Sequence, residues 1–268
     1  MRMRIRKSEQ QLIGSRRDFL VQALSLGWLA GGLGWNAPAL AALFGKLPGK
    51  LPAGRSIFEM KGEVLVNGKP ATEKTLITPT DKVTTGANSY VIAAVGANSF
   101  ILRDKSVLDL GGSNPLKQAM RLVTGKFLGV FGKLSGKQSL SLNTPIATIG
   151  IRGTGVYAES DPDKTYLCTC YGTTDLAAQA DYEFEQLAAA KDRKKKVDAQ
   201  PVELAQVTAQ HHDAPKYILA APDAGKRITP APFINHTDLE LMTLEALVGR
   251  KVPFGLPATE YEAPRREY

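Results

Sequence analysis

Short apolar runs, each ending at a turn signal, recur along the chain from residue 55 onwards. These runs predict β-strands at residues 63–66, 76–78, 82–86, 90–95, 100–102 and 106–110. Asn67-Gly68, which ends the first run, is a strong signal for a two-residue hairpin turn. Because the turn signals are roughly ten residues apart, the pattern predicts an all-β sandwich or a solenoid-like stack. Helical spacing is nearly absent here, apart from a helical turn predicted around residues 116–122.

The composition changes after residue 175, where a small C-terminal αβ extension is predicted. Residues 181–191 are polar and rich in alanine, which indicates a helix or an insertion between strands. Further strands are predicted at residues 202–207 and 217–220. A helix is predicted from Thr237, which forms a capping-box pattern with Glu240, to a stop at Gly249. Apolar residues surround much of this helix, so we expect it to pack on the β domain. The predicted fold class is therefore mainly β.

The N-terminal segment has the three parts of an export signal. A basic leader ends at Arg16-Arg17, a mildly apolar stretch follows, and Ala39-Leu-Ala41 is a small-x-small pattern of the kind that a signal peptidase cleaves. The segment resembles a twin-arginine signal, although Val21 stands where a lysine is common. The resemblance implies cleavage after Ala41 and export of the folded protein to a bacterial periplasm. The alternative is an amphipathic helix of the folded domain.

The charge of the chain gives little support for a nucleic-acid partner. The net charge is +8, but the first 41 residues hold six basic residues against two acidic ones, which is half of it. The densest remaining basic run, residues 191–196, has no aromatic residues between its charges and is interpreted as a solvated surface. No apolar run reaches the ~18 residues of a confident membrane span. We therefore expect neither a nucleic-acid partner nor a stable membrane span after cleavage of the signal.

These patterns divide the chain into five parts. The predicted parts are a signal peptide at residues 1–41, a linker at 42–54, a β domain at 55–175, an αβ extension at 176–252 and a flexible tail at 253–268. The linker is rich in glycine and proline, and the tail is rich in proline and charged residues, which is typical of segments outside a packed core.

Several strings within the predicted β domain carry a family resemblance. Residues 144–157, with the sequence TPIATIGIRGTGVY, resemble the signature of the FecR domain family. The shorter strings at residues 62–68, 83–86 and 100–103 resemble other parts of that family's pattern. Together these matches cover about residues 55–175, which is nearly half of the chain. The resemblance implies a FecR-like β domain.

The most specific part of this resemblance is the block Arg152, Gly153, Thr154 and Gly155. Its glycines allow close backbone approach or a positive φ. Isoleucines at positions 146, 149 and 151 are expected to supply core. We interpret the block as a structural motif in which Arg152 makes a hydrogen-bonded clamp, with a binding role for Arg152 as the alternative.

The resemblance also implies a function, namely binding to other proteins in the periplasm. The best-known FecR proteins are membrane-spanning sigma regulators, which pass on a signal from an outer-membrane receptor in iron uptake. In this sequence the 20 residues before the apolar stretch are too few for a folded cytoplasmic anti-sigma domain. The chain therefore resembles the stand-alone exported members of the family. We expect a protein-interaction or sensing module with a protein partner in the cell envelope.

All the cysteines and histidines of the chain lie in three patches. The cysteines are Cys168 and Cys170, and the histidines are His211, His212 and His236. In a strand, residues two apart point to the same face, so both sulfur atoms would project together. Two thiolates with two or three imidazoles would satisfy a tetrahedral zinc site or a copper site, and iron or a haem-type cofactor is a further candidate. The separations along the chain match no zinc-finger spacing.

Other interpretations of these residues stay open from the sequence. The two cysteines could form a disulfide after export, although folding first in a reducing compartment favours the metal. They could also be small buried core residues, with the histidines as local caps. A hydrolase with a cysteine nucleophile and a histidine base is conceivable, but only Asp213 stands out as an orienting acid. Because the chain lacks Gly-x-Ser-x-Gly, P-loop and Rossmann patterns, no enzymatic activity is expected.

Overall fold

The computed structural model describes residues 47–112, 117–134, 136, 138–178 and 203–254. The predicted export signal, with Arg16, Arg17, Ala39 and Ala41, lies outside these residues. Residues 181–191 and almost all of the predicted tail lie outside them as well. Within the described ranges, no helix combines the length and the apolar character needed to cross a membrane.

The described residues form fifteen β-strands and one α-helix, which confirms the prediction of a mainly β fold. The strands are β1 (Ile57–Lys61), β2 (Val64–Val66), β3 (Lys69–Pro70), β4 (Lys82–Thr85), β5 (Tyr90–Val95), β6 (Asn98–Leu102), β7 (Val107–Asp109), β8 (Lys117–Val130), β9 (Ser139–Asn143), β10 (Ala147–Ile151), β11 (Gly155–Ser160), β12 (Lys164–Ala178), β13 (Glu203–Ala209), β14 (Lys216–Asp223) and β15 (Lys226–Pro230). The helix, α1, spans Asp238–Leu247.

The strands form two sheets that share the two longest strands. The first sheet has the order β1-β5-β6-β8-β11-β12-β14-β15. The second sheet has the order β3-β2-β4-β7-β8-β9-β10-β12-β13. Neighbouring strands are antiparallel except for β8 and β9, which are parallel. Strand β8 passes from the second sheet into the first, and β12 passes from the first into the second, so the sheets are joined at two corners.

Each long strand changes sheet at a glycine with a positive φ. Gly125 in β8 has a φ of 92° and Gly172 in β12 has a φ of 86°. A Cβ atom added at Gly172 would lie 2.8 Å from the Cβ of Thr154, so the corner has no room for a larger residue. The corner leaves the first half of β12, with Cys168 and Cys170, in the first sheet.

The first sheet has buried side chains on both faces. In β6, Phe100 and Leu102 join the core between the two sheets, whereas Ile101 between them points to the other side. The predicted core isoleucines 146, 149 and 151 lie in the core between the sheets. A second core, which we call the outer core, lies between the first sheet and α1. Its buried residues are Ile92, Ile101, Leu128, Val130, Tyr157, Tyr166, Cys168, Cys170, Tyr171, Leu241, Leu244 and Leu247.

The predicted C-terminal helix is present with its predicted start and stop. The Oγ1 atom of Thr237 accepts a hydrogen bond from the Glu240 amide, and the Glu240 carboxylate accepts one from the Thr237 amide, so the capping box is formed. Gly249 follows the helix with a φ of 77°. Because Leu241, Leu244 and other residues of α1 are buried in the outer core, the helix packs on the β-strands as expected.

Two local predictions were wrong. Residues 117–122 lie in strand β8 and form no helical turn, because Met120 and Leu122 are buried while Arg121 between them is exposed, a period of two. Residues 76–78 pair with no strand of the described chain. Side chains bond their backbone groups: Ser56 donates to the Ile77 carbonyl, and the Thr78 amide donates to Asp81.

The composition shift after residue 175 falls within strand β12, which continues to Ala178. Strands β13, β14 and β15, from the predicted αβ extension, pair with β12 and with each other in the same two sheets. The C-terminal strands and α1 therefore pack directly against the part of the chain that contains the cysteines.

Candidate metal centre

Four of the predicted ligands meet at one buried point. One potential ligand atom each from Cys168, Cys170, His212 and His236 lies within 4.8 Å of the other three. The His212 Nδ1 atom lies 3.4 Å from the Cys168 sulfur, and the His236 Nε2 atom lies 3.4 Å from the Cys170 sulfur. The two nitrogen atoms are 3.1 Å apart. The side chains thus form one compact set of two sulfur and two nitrogen atoms.

Local structure explains how each ligand reaches this point. Cys168 and Cys170 lie two residues apart in β12 and point together into the outer core, as the strand period predicts. His212 follows β13, and its amide donates to the Cys170 carbonyl at 3.0 Å, which holds the segment against β12. His236 directly precedes the cap residue Thr237 of α1. Three separate segments of the chain therefore supply the four ligands.

The imidazole rings are held by hydrogen bonds on their far sides. The His236 Nδ1 atom lies 2.7 Å from the Ile234 carbonyl oxygen, and the His212 Nε2 atom lies 2.9 Å from the Asp238 carboxylate. A carbonyl or carboxylate oxygen only accepts, so these nitrogens carry the hydrogens. When the rings are neutral, as metal binding requires, their opposite nitrogens present lone pairs to the sulfur atoms. Metal-binding histidines are typically oriented in this way.

Three of the six distances between the four atoms are close to the edges of a metal tetrahedron, and the other three are at most 4.8 Å. With metal–nitrogen bonds of ~2.0–2.1 Å and metal–sulfur bonds of ~2.3 Å, neighbouring nitrogens lie ~3.3 Å apart and a nitrogen and a sulfur ~3.6 Å apart. The corresponding distances in this protein are 3.1 Å and 3.4 Å. Two nitrogen lone pairs facing each other at this distance repel unless a cation or a proton lies between them. The geometry therefore fits a tetrahedral ion.

The two thiols have opposite pKa shifts. Burial raises the pKa of Cys168, but the hydrogen bond with Cys170, the charge of His236 and the hydrogen bonds with both histidines outweigh burial and bring that pKa well below its usual value. Burial and the neighbouring Cys168 raise the pKa of Cys170 well above its usual value. The first proton therefore leaves the pair of thiols more readily than the second. A bound divalent cation would stabilise both as thiolates.

Aromatic rings enclose the imidazoles. The Tyr157 ring stacks on His236 with a centroid distance of 4.5 Å and an angle of 17°. The Phe233 ring contacts both His212 and His236, with centroid distances of 4.5 Å and 4.6 Å. Neither cysteine has exposed surface, and His236 has none. The site is therefore shielded from water, which strengthens electrostatic interactions within it.

A buried polar network fixes the loop that carries His236. Asn235 has a left-handed φ of 61°. Its side-chain amide donates a hydrogen bond of 2.6 Å to the buried carboxylate of Glu159. Arg103 donates to the Asn235 carbonyl at 3.0 Å and to the Glu240 carboxylate at 2.8 Å. The residue before His236 is thus held by Glu159 of β11 and by Arg103, and Arg103 also pairs with Glu240 of α1.

His211 is the one predicted ligand that does not face the sulfur atoms. Its Nε2 atom lies 2.9 Å from each oxygen of Asp238. His211, His212 and Asp238 form a second group of potential ligand atoms, also within 4.8 Å of one another. The sequence did not indicate Asp238 as a potential ligand: it is an acidic residue in the first turn of α1, and nothing in its spacing links it to the histidines after β13.

Comparisons with known proteins identify no family for this chain. No protein family model matches it, and no curated protein sequence matches it. The fold is similar to two crystal structures of a putative anti-sigma factor from Parabacteroides distasonis ATCC 8503, with a TM-score of 0.40 and sequence identities of 7% and 6%. The similar region covers 56% of this chain and 58% of each of the other two. The FecR resemblance thus stays a prediction from the sequence strings.

The predicted structural motif lies at the start of β11. Arg152 is largely exposed and pairs with Asp175 of β12 at 2.6 Å, an ion pair whose exposure limits its contribution to stability. Gly153 has a φ of 66°, and Thr154 is fully buried. A Cβ atom added at Gly155 would lie 2.5 Å from the Tyr171 ring. The block thus connects β10 of the second sheet to β11 of the first sheet, and Gly155 allows β11 to pack closely against β12.

Proposed function

We propose that this protein binds one zinc ion through Cys168, Cys170, His212 and His236. The observation that carries this proposal is the convergence of the four ligand atoms at one buried point, all within 4.8 Å of one another and three pairs of them at 3.1–3.4 Å. Two thiolates and two neutral imidazoles balance the charge of a divalent ion, so the complex would be neutral in its apolar surroundings. Closed sets of four cysteine and histidine ligands are typical of structural zinc sites.

In this proposal the ion links three parts of the fold. It would join β12 to the segment after β13 and to the loop before α1, so the C-terminal segments would be fastened to the first sheet. Four protein ligands leave no open position for a substrate. A catalytic cysteine also needs access to substrate, and both thiols are completely buried. We therefore propose a binding function rather than catalysis.

We further propose that the chain acts in the cell envelope as an exported interaction or sensing module with a protein partner. The support for this comes from the sequence: the twin-arginine-like segment with Arg16 and Arg17, the small residues Ala39 and Ala41, and the FecR-like strings. A role in iron-uptake signalling is implied by the family resemblance alone. The metal centre would then stabilise the module that contacts the partner.

Metal analysis of the mature protein tests the first proposal. The protein is purified without a metal-affinity step, and its zinc, copper and iron are measured per chain. About one equivalent of zinc is expected for a single four-ligand site. One equivalent of copper or iron would support the proposed site but show that the metal is not zinc. A metal-free protein with both cysteines oxidised, or with both as free thiols, would contradict the proposal.

Two variants assign the metal to the site. In the double variant Cys168→Ser, Cys170→Ser the zinc content should fall to background. The control Thr173→Ala lies on the same strand, where its hydroxyl bonds only to Thr208 across the exposed face, and it should keep the wild-type content.

Cell fractionation tests the proposed export. The wild-type protein is expected in the periplasm in a shortened form, with cleavage after Ala41. The double variant Arg16→Lys, Arg17→Lys should stay uncleaved in the cytoplasm. If both proteins fractionate in the same way, the twin-arginine interpretation fails.

A further inference from the structure

The four ligands of the candidate metal centre are buried, so an ion needs a path from solvent to reach them. Cys168, Cys170 and His236 have no exposed surface, and His212 is 3% exposed. The His212 ring contacts two groups of potential ligands. Its Nδ1 atom faces the sulfur atoms, and its Nε2 atom faces the Asp238 carboxylate. The His212 ring thus lies between the inner site and the second group of ligand atoms.

The second group extends from the metal centre toward the surface. Asp238 is almost completely buried and lies between the two imidazoles, at 2.9 Å from the Nε2 atom of His212 and at 2.9 Å from that of His211. The His211 side chain is 19% exposed. Two imidazoles and a carboxylate are ligands that zinc accepts. This group therefore offers a set of ligands between solvent and the inner site.

An unusual backbone conformation brings the two histidines to the same carboxylate. In an extended chain, consecutive side chains point in opposite directions. His212 instead has a left-handed φ of 56°, which is uncommon for a residue other than glycine. This conformation lets both rings reach Asp238. Such conformations occur in turns and are also common at functional sites.

An aromatic side chain covers the outer end of this group. The Phe254 ring stacks on His211 with a centroid distance of 4.1 Å and an angle of 23°. Phe254 belongs to the segment after α1 and is itself partly exposed. One face of the His211 ring is therefore covered by a partly exposed aromatic ring.

We propose that His211, Asp238 and His212 form an outer station that receives a divalent ion and passes it to the inner site. This inference rests on the proposed zinc function. The ion binds the Nε2 atoms of both rings and the Asp238 carboxylate, and the hydrogen of each Nε2 atom moves through water to the Nδ1 atom of the same ring, so both rings stay neutral. The ion then exchanges these ligands for the two sulfur atoms, the His236 Nε2 atom and the His212 Nδ1 atom. The protons of the thiols leave to water, and the hydrogens of the His211 and His212 rings return to the Nε2 atoms. Release follows the same path in reverse.

Stopped-flow measurements with Co²⁺ test this route, because thiolate–cobalt bonds absorb light and report on the inner site. The full mature protein is stripped with a chelator, mixed with Co²⁺, and later mixed with excess chelator to follow release. In His211→Ala both uptake and release should slow by the same factor, about tenfold for a barrier that is higher by ~1.4 kcal/mol, while the final spectrum and the affinity stay unchanged. A ligand of the inner site would instead change the affinity.

Two further variants complete the test. Phe254→Ala should speed both uptake and release, because it uncovers His211. Asp213→Asn is the matched control: it removes an exposed negative charge that lies near His211 and bonds only to the Gln210 amide, and its rates should equal those of the wild type.

The outcomes separate the two proposals. Unchanged rates in His211→Ala overturn the outer station and leave the inner site intact. Faster release with unchanged uptake also overturns it, because His211 would then only support Asp238. A wild-type protein that shows no thiolate–cobalt absorption overturns the zinc proposal, and the station with it.

Discussion

Single residues outside the metal centre determine which nitrogens face the sulfur atoms. The Ile234 carbonyl and the Asp238 carboxylate hold the far nitrogens of the two rings, so the lone pairs of His236 and His212 point inward. Asp238 also raises the pKa of His212, which burial alone would lower; together with Cys168 it brings this pKa to about 9. Asp238 thus orients the ring and makes it more basic, and a more basic nitrogen binds a metal more strongly.

The variant Asp238→Asn tests this role. The amide keeps one acceptor oxygen but loses the charge, so zinc affinity should fall about 10- to 100-fold while the site still binds one ion. Competition with a chromophoric chelator measures the affinity. The control Asp175→Asn removes an exposed carboxylate that pairs with Arg152, and its zinc affinity should match the wild type. Equal affinities in both variants would contradict the orienting role.

The sequence predicted part of this site for a simple reason. A strand repeats every two residues, so the shared direction of Cys168 and Cys170 follows from their spacing alone. His236 directly precedes a recognisable helix cap, so its position at the end of an element also follows from the sequence. The convergence of His212 on the same point depends on its left-handed backbone and on the pairing of β12 with β13, and neither is visible in local sequence.

At the scale of the element, strand β12 is the part on which the site depends most. It spans both sheets, and its corner at Gly172 separates the half with the cysteines from the half that pairs with β10 and β13. Turn signals predicted most of the shorter strands, because such turns are local. The sequence did not predict that β8 and β12 each pass from one sheet to the other. Such a change depends on partner strands in both sheets that are distant in sequence.

The variant Gly172→Ala tests the corner. Its φ of 86° is unfavourable for alanine by ~1 kcal/mol. Its Cβ would also lie 2.8 Å from the Thr154 side chain, and such overpacking costs about 1–3 kcal/mol. The free energy of unfolding, measured with urea, should therefore fall by about 2–4 kcal/mol.

Gly225→Ala is the matched control for this corner. Gly225 has a similar φ of 80°, but a Cβ there would meet nothing within 4 Å. The control should lose only ~1 kcal/mol. Equal losses in the two variants would show that the contact with Thr154 does not restrict the corner.

In the molecule as a whole, two separate cores stabilise different parts of the fold. The core between the sheets contains none of the four proposed ligands, whereas the outer core contains both cysteines and the buried face of α1. Folding of the two sheets therefore need not depend on the ion. The position of α1 and of the loop before it depends on the outer core, and the ion would add to it directly.

Removal of the metal tests this division. After chelation, hydrogen exchange should become faster in α1 and in the loop before it, while β4, β7 and the first half of β8 keep their protection. The reason is that a bound ion stabilises the segments that provide its ligands. Mass spectrometry of peptic fragments measures both regions in one experiment. Equal loss of protection throughout the protein would contradict the division.

The central claim is that two sulfur and two nitrogen atoms of one chain hold a zinc ion. X-ray absorption at the zinc edge, on the mature protein with its native metal, measures these ligands directly. We expect two sulfur atoms at ~2.3 Å and two nitrogen atoms at ~2.0–2.1 Å from zinc. A zinc ion surrounded only by nitrogen and oxygen atoms, or a protein without a stoichiometric metal, would contradict it.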